Sequence, residues 1–446
     1  MTPAGSAPAP GEDPRPRDSS PWLWVPSLYF SQGIPYVIVM TFSVVMYKRL
    51  GISNTDIAWY TSWLYLPWVI KPLWSPLVDI TRTKRAWVVS MQLLVALALA
   101  LVALALRGSA FFVWSLLLFA VMAFASATHD IAADGFYMLS LTQHQQAWWV
   151  GLRSTFYRTA MIFGSGLLVM LAGWLERGAA GEAAGAELPA YPSAWSATLF
   201  VAAGVFFLFS VWHAWMLPRP AADGPVRPQE GSGGQFLATM ASFFRKPGIG
   251  LTLAFILLYR FDEAQLSKVA SPFLLDLREK GGLGLSTGLV GLAYGTFGTL
   301  ALTCGGLLGG FMAARFGLKK MLPFMVAGMY LPKLAFVFLS WVQPQSFYLA
   351  CGAVAVEQLG YGFGFTAFML YLLYFSNGPH RTAHYALCTG FMALGMMIPG
   401  AWSGWLADRL GYQHFFLWVL ASALPGLMIS LRLKVDAEFG KKSRPG

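Results

Sequence analysis

Apolar residues run along this chain in long blocks, and charge, Gly and Pro return mainly between them. Twelve windows stand out, at 22–48, 56–79, 86–106, 110–140, 147–175, 194–216, 248–276, 286–314, 320–341, 346–375, 382–407 and 412–432. At a rise of about 1.5 Å per residue, about 20 apolar residues cross a hydrocarbon core of roughly 30 Å. The windows are too long and too uniformly apolar for the alternating strands of a membrane barrel. Backbone polar groups in lipid must be satisfied within the segment, which leaves the α-helix. The pattern predicts an all-α membrane protein that crosses the bilayer twelve times.

Composition agrees: 57% of residues are hydrophobic and 11% charged, against about 25% charged in soluble domains. An even number of crossings puts both termini on one side. The side holding the termini and loops 80–86, 217–247, 315–320 and 376–384 carries 18 of the 31 Lys and Arg residues, the other side seven, and six lie within windows. Positive-inside bias makes the richer side cytoplasmic. The net charge of +11 is mostly this asymmetry, attracted to anionic lipid. Cations scattered over short loops argue against a nucleic-acid partner. Residues 1–21, rich in Pro, Gly and Ser, read as a disordered cytoplasmic tail with no cleavable signal, and 433–446 as a second tail. Cys304, Cys351 and Cys388 fall within windows and give neither a disulfide framework nor a metal-ligand spacing. No cofactor is expected.

The longest cytoplasmic connection, 217–247, begins as a Pro/Gly linker and ends in a possible amphipathic surface helix, Phe236 to Phe244. It divides the chain into bundles of six helices at 22–216 and 248–432. Six plus six is the organisation of transporters that rock two repeats about a central site. At matching places in both halves a helix end of small residues runs into a basic loop: Asp79 and Arg82 with Lys84 and Arg85, then Arg315 with Lys319 and Lys320. Glycines of the eighth window, Gly291 to Gly310, read as close helix packing.

Ionisable residues inside the windows need partners or water. Asp130 and Asp134 share one face of window four. Counted outward from the turn at 142–145, Asp134 lies level with Arg153, and Asp130 nearly level with Arg158. Two interhelical pairs are expected, as a fixed brace or a pH-sensitive cytoplasmic gate, with His129 bonded to a neighbour.

The loop at 309–320 resembles the signature loop of the major facilitator superfamily, with Ala314 where that family has an acid. Tyr29-Phe30-Ser31-Gln32-Gly33-Ile34-Pro35, Lys71-Pro72-Leu73-Trp74-Ser75-Pro76-Leu77-Val78-Asp79, His129-Asp130-Ile131-Ala132-Ala133-Asp134, Thr382-Ala383-His384-Tyr385-Ala386-Leu387 and Gly404-Trp405-Leu406-Ala407-Asp408 resemble the AmpG muropeptide permeases and their acetyl-CoA transporter relatives. The resemblance covers nearly the whole chain. It implies the twelve-helix major facilitator fold, a multi-pass protein of the bacterial inner membrane working as a monomer, and proton-coupled import of anhydro-muropeptides from cell-wall recycling by alternating access. Its partners would be a small solute, protons and lipid.

In that superfamily helices 1, 4, 7 and 10 line the cavity. Here those windows contribute Gln32 and Tyr36, Asp130 and Asp134, Arg260, Asp262, Glu263 and Lys268, and Glu357, Gln358 and Tyr361; Lys71, Arg153, Arg158 and Lys333 lie elsewhere. Counting from the predicted window ends puts Asp262, Glu263 and Glu357 near the midplane, where coupling-ion sites are expected. They are the proton candidates, with neutralisation of Glu263 by Arg260 one turn away left open. Arg260, Lys268 or Lys333 would hold an anionic part of the solute. Tyr29, Tyr36, Tyr361 and Tyr371 are candidates for stacking on sugar rings. Other readings are a siderophore or another peptide-like or nucleotide-linked solute, a membrane acyltransferase, or a non-transporting sensor. A drug antiporter fits less well, because Gly164–Gly173 lacks the Gly-Pro pattern of such proteins.

Overall fold

In a computed structural model of the chain, residues 20–180, 191–225, 232–436 and 439 are described. They are helices and short connections, with no strand among them. Residues 1–19 of the expected 1–21 tail and most of the 433–446 tail lie outside the described residues, as does part of the linker; Pro21 already belongs to the first helix.

The helices are α1 (Pro21–Arg49), α2 (Asn54–Trp63), α3 (Leu66–Thr81), α4 (Lys84–Ala105), α5 (Phe111–Ser140), α6 (Gln143–Met161, continuing through Ile162–Leu167 to Leu168–Ala180) and α7 (Pro192–Met216). After the linker come α8 (Ser232–Phe244), α9 (Ile249–Leu258), α10 (Phe261–Leu275), α11 (Thr287–Phe316), α12 (Leu318–Val342), α13 (Phe347–Phe375), α14 (Arg381–Ser422) and α15 (Leu424–Ser430). Every expected window falls on a helix or a broken pair. Among the described residues eight helical stretches are long and apolar enough to cross a membrane, or nine if α8 and Ile249–Leu275, bent by 87° at 245–248, count as one. Three departures of the helices from the windows have local causes. Window two is broken at Leu64 and Tyr65, and window seven at Arg260 (φ −113°, ψ 18°). Windows eleven and twelve are joined through Gly411, whose φ of +73° turns the chain inside α14.

Interfaces between the halves form where small residues let backbones meet. Across α6 and α11 a Cβ on Gly295 would stand 2.1 Å from the Ser165 carbonyl oxygen, and one on Gly173 2.5 Å from the Gly288 amide nitrogen. Across α2 and α14 a Cβ on Gly404 would stand 1.9 Å from the Asn54 carbonyl oxygen. All three contacts are feasible only without a side chain. The eighth-window glycines thus pack as expected, except Gly310, which has open space around it. A helix, α8, forms over the stretch where the amphipathic one was expected. Its Phe243 is fully buried and stacks on Phe391, while Ser242 bonds His384 at 2.9 Å.

The halves are latched at the end carrying loops 50–53 and 276–286. Lys48 pairs with Asp276 at 2.7 Å, and Tyr412 donates to Asp276 at 2.5 Å. Asn54 and Thr55 donate to Asp408, each at 2.8 Å. Glu176, fully buried, accepts from Thr287 at 2.6 Å, Trp195 at 2.8 Å and Arg49 at 3.3 Å. Towards the opposite end the charged side chains Asp134 and Arg153 remain 42% and 34% exposed. The polar contacts between the halves thus gather at one end, while the Asp134–Arg153 pair towards the other keeps access to solvent.

Candidate functional site

Two charge clusters lie between these ends. In the first half, Asp130 of α5 accepts hydrogen bonds from Lys71 of α3 and Gln32 of α1. Asp134, one turn on, accepts from Tyr29 at 3.3 Å and Arg153 at 3.5 Å. The guanidinium of Arg153 lies over the rings of Tyr29 and Tyr137.

The expected Asp134–Arg153 pair is therefore present, and the expected Asp130–Arg158 pair is not. Counting along a hairpin fixes height and leaves rotation about the axis open. Here α5 turns Asp130 towards α3, and Arg158 lies against Gly306 of the other half. Asp79 likewise pairs with Lys84 rather than Arg82, which is exposed. His129 is bonded within a buried chain: Gln92 donates to its Nε2 at 3.0 Å, while Gln92 Oε1 meets His213 Nδ1 at 2.9 Å and Ser27 meets His213 Nε2 at 2.9 Å. That pattern is satisfied with both rings neutral.

In the second half, Lys333 of α12 is the hub. Its ammonium lies 2.5 Å from Asp262 and 3.3 Å from Glu263, with side-chain exposures of 1%, 0% and 4%. Glu357 of α13, equally buried, interacts electrostatically with Glu263, Lys333 and Asp262 and accepts from Gln358 at 2.8 Å. Asp262 Oδ1, Glu263 Oε2 and Glu357 Oε1 are buried without a hydrogen-bond partner. The three acids placed near mid-depth by counting are thus gathered around one lysine.

The helix break at Arg260 directs its neighbours apart. Asp262 and Glu263, in the first turn of α10, face Lys333. Arg260, outside the helix, bonds Tyr361, stacks at 4.9 Å over Phe365 and interacts with Tyr36 and Tyr65 of the first half. Arg260, non-helical, makes no direct ion pair with Glu263, whose contact partner is Lys333, although Glu263 still acts on it electrostatically. Lys268 donates to Thr61 at 2.8 Å and lies over Tyr65 at 5.5 Å. Tyr36 packs edge-on against Trp68, and Gln358 reaches Tyr294 at 3.3 Å.

Of the substrate candidates, Tyr36, Arg260, Lys268 and Tyr361 thus lie at the junction of the halves. Lys333 is inside the second half, Gln32 belongs to the Asp130 pair, and Gln358 sits beside Glu357. Two of the stacking tyrosines are otherwise engaged, Tyr29 with Asp134 and Tyr371 with Thr252 at 3.0 Å. Reading the sequence missed Tyr65, Trp68 and Tyr294, and the latch residues Lys48, Arg49, Glu176, Asp276 and Tyr412. A signal existed for the latch: Lys48 and Arg49 lie on the side that positive-inside bias disfavours. An apolar hollow of about 510 Å³ lined by Trp22, Leu208, Trp212 and Trp215 lies between α1 and α7. These side chains are exposed on the bundle's flank, with Ser27 its only hydroxyl-bearing wall residue, so it has no chemistry for a polar solute. No cluster of three metal-binding side chains occurs among the described residues.

The fold is shared with solved transporters. The chain superposes on a mutant of the nucleoside transporter NupG with a TM-score of 0.69 at 12% identity, covering 92% of this chain and 98% of that one. A D-xylose–proton symporter matches at 0.65 and 14%, covering 94% and 98%. This is a multi-pass membrane transporter of the major facilitator fold, not an enzyme. It is AmpG-like in sequence: the anhydromuropeptide permease of Escherichia coli (strain K12) is 25% identical over 420 residues, 92% of this chain and 79% of the relative. A Rickettsia conorii relative named AmpG 4 is 25% identical over 421 residues, 90% and 93%. No known family profile matches the chain.

Proposed function

We propose that this chain is a proton-coupled importer of anhydro-muropeptides in the bacterial inner membrane, working as a monomer. In this reading it crosses the bilayer twelve times, with both termini cytoplasmic and halves at 22–216 and 248–432 joined by the linker. The latched end is then periplasmic, and the conformation opens towards the cytoplasm. The substrate reading is supported by similarity to the E. coli permease along nearly the whole chain.

The observation that carries proton coupling is the cluster of three buried carboxyl groups around the single ammonium of Lys333. Like charges confined at that depth disfavour simultaneous ionisation, and a desolvated carboxyl binds a proton readily. Three carboxylates and one ammonium would leave a net charge of −2. One bound proton halves that excess and gives an orphaned oxygen a donor. Glu357 carries the proton, because Lys333 is committed to Asp262 and Glu263. Protonated, the cluster tolerates the dry occluded state; facing the cytoplasm, it releases the proton. Asp130 with Lys71 and Asp134 with Arg153 form the cytoplasmic gate, and Asp79 with Lys84 braces the loop beside it.

The test is uptake of labelled anhydro-muropeptide into proteoliposomes under an inward proton gradient, beside a siderophore panel. Accumulation that collapses with a protonophore is expected. Absence of uptake rejects the substrate, and uptake indifferent to the gradient rejects the coupling.

A further inference from the structure

Arg260 and Lys268 are 7% and 3% exposed, yet neither has a carboxylate within 4 Å among the described residues. Every other cation in the interior of the second half is committed: Lys333 holds two acids. Arginine keeps its charge in proteins, so burial of Arg260 with no carboxylate in contact is costly; Glu263 acts on it only from beyond ion-pair distance. Compensation comes from the rings of Tyr361 and Phe365 and from one hydroxyl, while its Nε is buried without any hydrogen-bond partner. Lys268 has a single hydrogen bond, to Thr61 of the other half, and the face of Tyr65. Both cations therefore point across the junction of the halves, each with donor capacity unspent. They are eight residues apart, which is about 12 Å along a helix.

We propose that Arg260 and Lys268 form a two-point subsite for carboxylate groups of the transported solute, with Tyr65 between the two points. The proposal rests on the transporter reading above and adds the chemical group that the cavity selects. The break at Arg260 is what makes the subsite possible. A continuous helix would place Arg260 one turn from Glu263, whereas the break leaves the acids in contact with Lys333; Lys268, further along α10, is turned to Thr61 and Tyr65. Arg260 takes one carboxylate through its planar donors, and Lys268 takes a second as a point charge. A carboxylate supplies both the missing countercharge and an acceptor for the orphaned Nε–H. A carboxamide of the same shape supplies only the acceptor.

The experiment measures binding by intrinsic tryptophan fluorescence of the purified full chain. Its matched probes are an anhydro-muropeptide with free carboxylates, its fully amidated counterpart, and a glutarate/glutaramide pair. The wild type is expected to prefer each carboxylate form by at least about 10-fold, which is ~1.4 kcal/mol. Arg260→Gln and Lys268→Gln should each reduce that preference about 10-fold, losing more affinity for the acid than for the amide forms, with circular dichroism and a monodisperse elution profile showing that the variants are folded. Arg260→Lys should restore part of it. Equal binding of acid and amide by the wild type, no binding of any probe, or preference retained in both Gln variants overturns the subsite. Failure of muropeptide uptake, with a charge preference for glutarate that depends on Arg260 and Lys268, removes the substrate assignment and leaves the subsite standing.

Discussion

In the first half, Lys71 and Asp130 are 26% and 24% exposed and Asp134 is 42% exposed; in the second, Lys333 and Asp262 are 1% and 0% exposed. Charge also balances differently. The first half sets two acids against two cations, each acid with its own partner and with neutral donors in support. The second half gathers three acids around one cation and leaves an oxygen of each without a hydrogen bond. Pairs reached by solvent can separate and re-form cheaply, because water replaces the lost partner. A sealed, unbalanced cluster changes state most cheaply by moving a proton. Under the proposed transport reading, the first bundle's pairs suit gating and the second bundle's cluster suits ion coupling.

The largest expected effect tests that contrast directly. Lys333→Ala strands buried carboxylates and should cost about 3–5 kcal/mol, whereas Lys71→Ala should cost about 1–2 kcal/mol. Thermal unfolding of the two purified variants compares them, and equal losses would break the distinction. Next, Glu357→Gln should lower gradient-driven accumulation about 10-fold or more, on the scale of a lost proton-transfer group, yet preserve solute counterflow. In the wild type, uptake should rise as external pH falls, since outside protons load the cluster; the variant's profile should be flat. Asp134→Asn should keep the pH dependence. Loss of it there instead would move coupling to the first half.

A third prediction asks whether the contrast belongs to the halves or to this conformation. Gly404→Val introduces a Cβ 1.9 Å from the Asn54 carbonyl oxygen and should unlatch the closed end, lengthening spin-label distances between positions 51 and 410. If the second-half acids then become reactive to a water-soluble carbodiimide, their seclusion follows the state rather than the half. The smallest effect is Arg153→Gln, about 0.5–1 kcal/mol and fading with salt. A larger, salt-insensitive loss would mean that the first-half pairs are braces.

Much of this was legible in the chain. The apolar windows located the helices because lipid leaves the backbone no alternative to internal hydrogen bonds. Counting residues put Asp262, Glu263 and Glu357 at a common depth, since rise per residue is nearly constant. Which neighbours they met was not legible. Lys333 looked like one more cavity cation, and Arg158 like the partner of Asp130, because linear spacing gives height along a helix and says nothing of its rotation or its breaks.

The sequence by itself determined class, the placing of the helices and the family resemblance, all consequences of local composition and fixed helical geometry. The tertiary structure decided the pairings: Lys333 with two acids, Lys71 with Asp130, Lys48 with Asp276, and no acid for Arg260 or Lys268 among the described residues. The non-helical residue 260 leaves Arg260 outside the helix that carries Asp262 and Glu263. The energy of a buried charge depends on what stands within a few ångströms of it, and packing of distant segments sets that distance.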